Sequence, residues 1–155
     1  MIKAVTFDLW NTLIHNRNYG EFRLPALNRV LQENGLHLTE EELQEAYQTG
    51  WNYSRDTIPA EGYRHVETHE IVDQVMAKVG LDNHCVRDRL VKIYEEAILH
   101  DPPQLKEGAT EALEHLNGGY RIGLVSVTGA SPGRLMRDIM EKHGVLRYFE
   151  ALAFS

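Results

Sequence analysis

The sequence has a single cysteine, Cys85, among 155 residues. An internal disulfide is thereby excluded, and a reducing cytoplasm is the expected compartment. No apolar run is long enough to span a bilayer, and no secretory h-region is present. Positive charge is scarce: 16 Lys and Arg stand against 23 Asp and Glu, for a net charge of -7. Neither a nucleic acid nor an anionic membrane surface is therefore the expected partner. A small anionic substrate stays compatible, because local Arg and Lys decide that. Internal repeats and low-complexity tracts are lacking too. The balance of 43% apolar and 25% charged residues is ordinary for a globular chain. The length suits one good core, or a small core with an inserted helical module.

What is there is organised around Ile2 to His15. Ile2, Ala4, Val5 and Phe7 are apolar and β-prone, which predicts a first strand. It ends abruptly on Asp8. A carboxylate at the end of a buried strand is costly to desolvate unless something uses it, and in open α/β sheets that end is where ligands bind. Leu9 to Leu13 carry no helix start signal, so a tight excursion above the sheet is expected. Asp8 and Thr12 are the candidate chemical pair.

Four helical patterns follow without a strand. The first starts near Phe22, with Leu24, Leu27, Val30 and Leu31 on one face, Pro25 in its first turn and Gly35 as its stop. The second opens on a capping box, Thr39 with Glu42, stapled by Leu38 and Leu43, and breaks at Ile58 to Gly62. The third carries Val72, Val75, Met76 and Val79 on one stripe. The fourth runs from about Asn83 to His100, with Val86, Leu90, Ile93, Tyr94 and Ala97 inward, and Pro102 and Pro103 beyond it. The pattern then changes. A helix around Gly108 to Leu116 leads into Arg121 to Ser126, a buried-strand run. Ser131 and Pro132 read as a cap and first position of another helix, with Leu135, Met136, Ile139 and Met140 inward. Phe149 to Phe154 reads as a third strand. Strand, helix and strand with short loops predict a parallel sheet. The expected fold is α/β: a partial doubly wound, Rossmann-like parallel sheet (residues 1–16 and 101–155) with an inserted four-helix cap (residues 17–100).

At Asp8-Leu9-Trp10-Asn11-Thr12 the sequence resembles the haloacid dehalogenase-like (HAD) hydrolase superfamily, which opens with a strand and Asp-x-Asp-x-Thr/Val. Ser126 stands where the family's next core strand ends in Ser or Thr. The continuation Val127-Thr128-Gly129-Ala130-Ser131-Pro132-Gly133 is similar to the family's S-N-T-G-x-[ST]-P-G, with Val127 replacing Asn and leaving its backbone N–H. The resemblance implies that Asp8 is a nucleophile, that Thr12, Ser126 and Val127 bind substrate, and that Mg2+ is held by the Asp8 carboxylate, the Trp10 carbonyl and an acid from a later loop. It also implies a cap that closes over the nucleophile and selects the substrate. The implied function is a Mg2+-dependent phosphatase acting through an aspartyl-phosphate on a small phosphorylated substrate.

Two departures qualify that. Trp10 stands where the family's phosphatases carry a second Asp, the general acid; indole cannot shuttle protons at neutral pH. The family's third motif, a Lys, and fourth, an acidic pair, have no counterpart up to Ser155. The expectation is an incomplete core, inactive as given, whose bare first-strand edge seeks a partner as a homodimer, by domain swapping or through poor solubility. Two alternatives stay open. One is dehalogenase-like carbon–halogen hydrolysis through an aspartyl ester, with Arg17 or Arg23 holding a substrate carboxylate. The other is a non-catalytic HAD-like binding module.

Several residues have simpler readings. His65 and His69 fall four apart on one helix face, a metal-ligand spacing. Eight histidines in the chain make such a pair unsurprising, and a solvated face is the simpler reading. Cys85 near a helix start reads as an inert thiol without a base beside it. Glu40, Glu41, Glu42 and Glu45 read as a solvated helix start. Trp51, Tyr53 and Arg55 read as an aromatic core patch before substrate contacts.

Overall fold

The computed structural model describes residues 2–62 and 64–155. The chain forms two compact units. One comprises Met1–Asn18, Asp101–Thr128 and Pro132–Ser155, the other Tyr19–His100 and Gly129–Ser131. The three-residue stretch after Thr128 thus clusters with the helical residues, where the Thr68 hydroxyl donates to the Ala130 carbonyl at 3.3 Å.

The first unit holds a three-stranded parallel sheet in the order β1 (Ala4–Phe7), β2 (Arg121–Ser126), β3 (Ala151–Phe154). Helix α5 (Ala109–Leu116) precedes β2, and α6 (Gly133–Lys142) joins β2 to β3. β1 starts at Ala4, later than the apolar run predicts, and Ile2 is 73% exposed. β3 starts at Ala151 because Phe149 closes a 3-10 turn, its N–H donating to Leu146. In-register partners share a face. Val5, Phe7, Ile122, Leu124, Leu152 and Phe154 form the covered face. Helix α6 lies on it, since Arg137 stacks over the Phe154 ring at 5.4 Å.

Ala4, Thr6, Arg121, Val125, Ala151 and Ala153 form the other face, and all are exposed. This corrects the reading of β2 as fully buried: Ile122 and Leu124 are, but Val125 is 61% exposed. A parallel strand is apolar throughout because both faces are normally covered, and among the described residues one is open.

The second unit contains α1 (Gly20–Glu33), α2 (Glu40–Ala60), α3 (Thr68–Lys78) and α4 (His84–Glu96), the last continued by a 3-10 turn to Leu99. Its core gathers Leu27, Leu31, Ile71, Val75, Leu90 and Tyr94. The Thr39 box forms as predicted, with Glu42 N–H donating to Thr39 Oγ1 and Thr39 N–H to the Glu42 carboxylate. Two boundaries move. α1 starts at Gly20, which places Pro25 in its second turn. α2 continues through Pro59, because the N–H missing there is lost near the end, Glu61 N–H still reaches Thr57, and the chain turns only at Gly62, φ 69°.

Gly50 lets α2 approach α3. A Cβ there would sit 2.7 Å from the Ile71 carbonyl oxygen and 2.9 Å from side-chain carbons of Ile71 and Val75. Backbone cannot step aside cheaply, so Gly50→Ala should lose about 1–2 kcal/mol of stability even after its gain in helix propensity. A lower urea midpoint at unchanged slope is the expected readout; a midpoint equal to the parent's would mean that the two helices slide freely.

At the start of α3, Arg64 grips both Glu70 carboxylate oxygens at 2.9 Å, and Glu67 N–H adds a third bond at 2.9 Å. The Arg64 hydrogen bonds hold the Glu70 carboxyl down at about 2, against the raising effect of its partial burial. A depressed carboxyl pKa adds stability above its unfolded value and loses it as pH falls through the folded one. Arg64 is 37% exposed, so screening limits the pair, and Glu70→Gln should cost about 1 kcal/mol at pH 7. The gap between variant and parent in urea should close as pH is lowered from 5 toward 2. A gap independent of pH would assign the effect to packing.

Candidate functional site

The site grows from the turn that follows β1. The Leu9 carbonyl accepts from three successive amides, Thr12 at 3.3 Å, Leu13 at 2.9 Å and Ile14 at 3.1 Å. Winding that tightly puts Asn11 at φ 56°, in the left-handed region that Asn tolerates better than most residues. Leu9, Leu13 and Ile14 are buried and pin the turn, leaving Asp8, Asn11 and Thr12 exposed. The returning chain clamps it: His15 N–H donates to Gln104, Lys106 N–H to Leu13, and Lys106 Nζ to the Asn11 carbonyl at 3.0 Å. That lysine contact has no sequence signal. It joins residues 95 positions apart.

β2 brings the second component. Ser126 is 5% exposed and its hydroxyl donates to Asp8 Oδ1 at 2.9 Å. It is the only hydrogen bond made by the Asp8 carboxylate among the described residues. One oxygen is held and the other makes no hydrogen bond among the described residues. Beyond Ser126, the Thr128 hydroxyl donates to the Ser155 carbonyl at 2.9 Å and Ser155 N–H to the Ser126 carbonyl at 3.2 Å, which fixes the path of the loop. Val127 is 67% exposed. Gly133 at the start of α6 has no room for a Cβ, since Phe154 carbons would lie 2.7–2.9 Å away.

Asp8 and Ser126 are therefore brought together, Thr12 stays on the same turn without a side-chain bond to either among the described residues, and Trp10 is half-buried. Other expectations change. Ser131 does not cap α6; it is buried, and extended Pro132 (ψ 150°) occupies the cap position with its carbonyl accepting from Leu135. His65 and His69 do not share a helix face, because α3 starts only at Thr68. Arg17 pairs with Asp101, and Arg55 pairs with Asp56. Trp51 stacks on Tyr94 at 6.3 Å, while the Tyr53 hydroxyl reaches Glu70 at 3.4 Å. Cys85 is exposed beside the Asn83 cap.

A carboxylate on a tight turn at the strand ends of a parallel sheet, bonded by a serine from the adjoining strand, stands where open α/β sheets bind their ligands. The chain belongs to the haloacid dehalogenase-like hydrolase family, whose pattern matches residues 2–155. Among solved structures it is similar to a 2-haloacid dehalogenase from Pseudomonas syringae pv. Tomato DC3000, at 20% identity and TM-score 0.60, covering 99% of this chain and 64% of that one. It is similar to a HAD phosphatase from Thermococcus onnurineus, at 20% identity and TM-score 0.58, covering 99% and 62%. A Bacillus subtilis protein described as a HAD hydrolase bound to magnesium shares 15% identity at TM-score 0.54, covering 99% and 64%. The chain thus spans under two thirds of the length of these relatives. No curated protein sequence matches it. Among the described residues no helix is long and apolar enough to cross a membrane.

Proposed function

We propose that the protein is a phosphatase in which Asp8 is the nucleophile. The observation that carries the reading is the Ser126 hydroxyl on Asp8 Oδ1, which orients the carboxylate so that its free oxygen faces an incoming group. That oxygen attacks phosphorus, the bond from phosphorus to the leaving oxygen breaks, and the acyl-phosphate is then hydrolysed by water. In this reading Thr12 and the Val127 N–H receive the phosphoryl oxygens, and Ser126 joins them when its hydroxyl turns from Asp8 to the bound group.

Mg2+ is the proposed cofactor. The Asp8 carboxylate and Trp10 carbonyl are the hard oxygen donors it takes, and it commonly keeps waters and substrate phosphate for its other positions. Among the described residues no group of three His, Cys, Asp or Glu side chains gathers to hold a metal, so the ion is proposed to bind together with the phosphate. When bound it offsets the negative charge that would otherwise repel the substrate from Asp8. The substrate is a small anion, and the compartment is the cytoplasm, in keeping with one exposed thiol.

The test, made on the full-length protein, is phosphate release from p-nitrophenyl phosphate with and without Mg2+, beside chloride release from 2-chloropropionate. Mg2+-dependent phosphate release, with a hydroxylamine-labile phosphoryl group on the Asp8 peptide, is expected. Metal-independent chloride release would instead favour the aspartyl-ester reading, which Trp10 supports because attack on carbon needs no general acid for halide departure. Neither activity, with no labelling of Asp8, would leave a binding module.

We also propose self-association. Within the described residues β1 is an edge strand, and the sheet face beside it exposes Val125; an unpaired edge is a template for a second copy. Sedimentation velocity should show a dimer at tens of micromolar; a monomer throughout the accessible range would dismiss it.

A further inference from the structure

The turn after β1 is pinned unevenly. Leu9, Leu13 and Ile14 are buried, so its two ends are anchored. Its crest, Asn11 and Thr12, is exposed. Asn11 is the one non-glycine residue at positive φ among the described residues, at 56°. Left-handed backbone costs any residue with a side chain, and it persists only where the surroundings fix it. Thr12 N–H also makes the longest of the three bonds to the Leu9 carbonyl, 3.3 Å against 2.9 and 3.1 Å. The crest is thus the part of the turn that its own hydrogen bonds hold least.

Two contacts from outside the turn complete it. The Asn11 side-chain oxygen accepts from Asn16 N–H at 3.2 Å, and the Asn11 carbonyl accepts from Lys106 Nζ at 3.0 Å. The Asn11 carbonyl and the Thr12 N–H belong to one peptide plane. That plane is therefore held at both ends, by Leu9 on one side and by Lys106 on the other. Lys106 is well anchored for this. Its own N–H donates to the Leu13 carbonyl at 2.9 Å, and the preceding Leu105 bridges to Ile14. The base of the side chain is bound to the same turn that its tip reaches. No carboxylate pairs with the ammonium among the described residues, and it makes no bond to Asp8 there.

We propose that Lys106 is a positioning residue for the Asp8 site: its ammonium on the Asn11 carbonyl holds the crest of the turn in the backbone conformation that presents the Trp10 carbonyl and the Thr12 hydroxyl beside Asp8. The inference rests on the reading of Asp8 as the nucleophile. Trp10 and Thr12 flank Asn11 in the chain. The φ of Asn11 sets the peptide plane that carries the Trp10 carbonyl, and its ψ sets the course into Thr12. Fixing Asn11 therefore fixes both. An ammonium suits the task, because a charged donor binds a carbonyl more strongly than a neutral one. Its charge already has an acceptor, which distinguishes Lys106 from a free cation awaiting a phosphate.

The test is made on the full-length protein. Lys106→Met keeps the stem and deletes the donors, and Lys106→Gln keeps a polar tip that falls short. Each should lower kcat for p-nitrophenyl phosphate with Mg2+ about tenfold and leave KM within about twofold, since small misplacements of positioned groups cost rate steeply. Lys106→Arg can donate to the same carbonyl and should recover most of the rate. Hydrogen exchange of the free protein gives a readout without catalysis. The Thr12 amide should exchange about tenfold faster in Lys106→Met, while the amides of β2 and the urea midpoint stay close to the parent's. A raised KM at unchanged kcat, erased by added salt, would make Lys106 an attractor of the substrate and overturn the proposal. So would lost activity with a lower urea midpoint and faster exchange throughout the chain, or a Lys106→Arg variant no better than Lys106→Met. Unchanged exchange at Thr12 would overturn it alone. Phosphate release that Asp8→Asn does not remove would defeat the reading of Asp8 instead, and the exchange of Thr12 would still decide on Lys106.

Discussion

Replacing Asp8 by asparagine in the full-length protein should lower phosphate release by about a thousandfold or more. The amide is no nucleophile, so the covalent step is lost, not merely slowed by poor alignment. The fold should survive, because Asp8 is exposed and an Asn oxygen can still accept from the Ser126 hydroxyl at 2.9 Å. Initial rates with Mg2+ and a urea unfolding curve on the same preparation separate the two effects. Ser126→Ala gives the contrast: the nucleophile remains but its orientation loosens, and the rate should fall by about ten- to a hundredfold. Full activity in Asp8→Asn would remove Asp8 from the chemistry, and a variant that loses activity and stability together would give Asp8 a structural role.

The parts of the fold and of the Asp8 site that are legible in the sequence are those fixed by local chemistry. The end of a β-prone run on Asp8, the Thr39–Glu42 capping box and the strand through Ile122 and Leu124 each depend on residues a few positions apart. The rest depends on chain segments meeting. Lys106 reaches the Asn11 carbonyl only because the returning segment pairs alongside Leu13 and His15. Ser126 and Asp8, 118 positions apart, meet because β2 runs parallel beside β1. Exposure misleads most. Val125 has the composition of a buried strand position and is 61% exposed, while Arg23, nominally a surface residue, is closed among rings by α2 and α4. Composition records what a position tolerates, not what the neighbouring segments supply.

Trp10 leads to the second large effect. It sits two residues after Asp8, the proposed nucleophile, where the family's phosphatases place a proton donor, and its side chain has no titratable group. With no acid there, a leaving alkoxide departs unprotonated, so the parent should turn over aryl phosphates far better than alkyl phosphates. Trp10→Asp puts a carboxyl at that position. The backbone that must carry it is already fixed: Trp10 bridges to Ile14, and the buried side chains of Leu9, Leu13 and Ile14 hold the turn whatever residue 10 bears. General acid catalysis typically contributes about 10²–10⁴-fold, so kcat for an alkyl phosphate should rise by about a hundredfold. For p-nitrophenyl phosphate it should change little, because that leaving group needs no proton. The ratio of the two kcat values is the measurement, and it cancels any difference in folded fraction. The pH profile for the alkyl substrate should also gain a descending limb, because the new carboxyl must be protonated to act as an acid. A ratio equal to the parent's would mean that residue 10 does not face the leaving group. A parent that already hydrolyses alkyl and aryl phosphates equally well would mean that another residue supplies the proton.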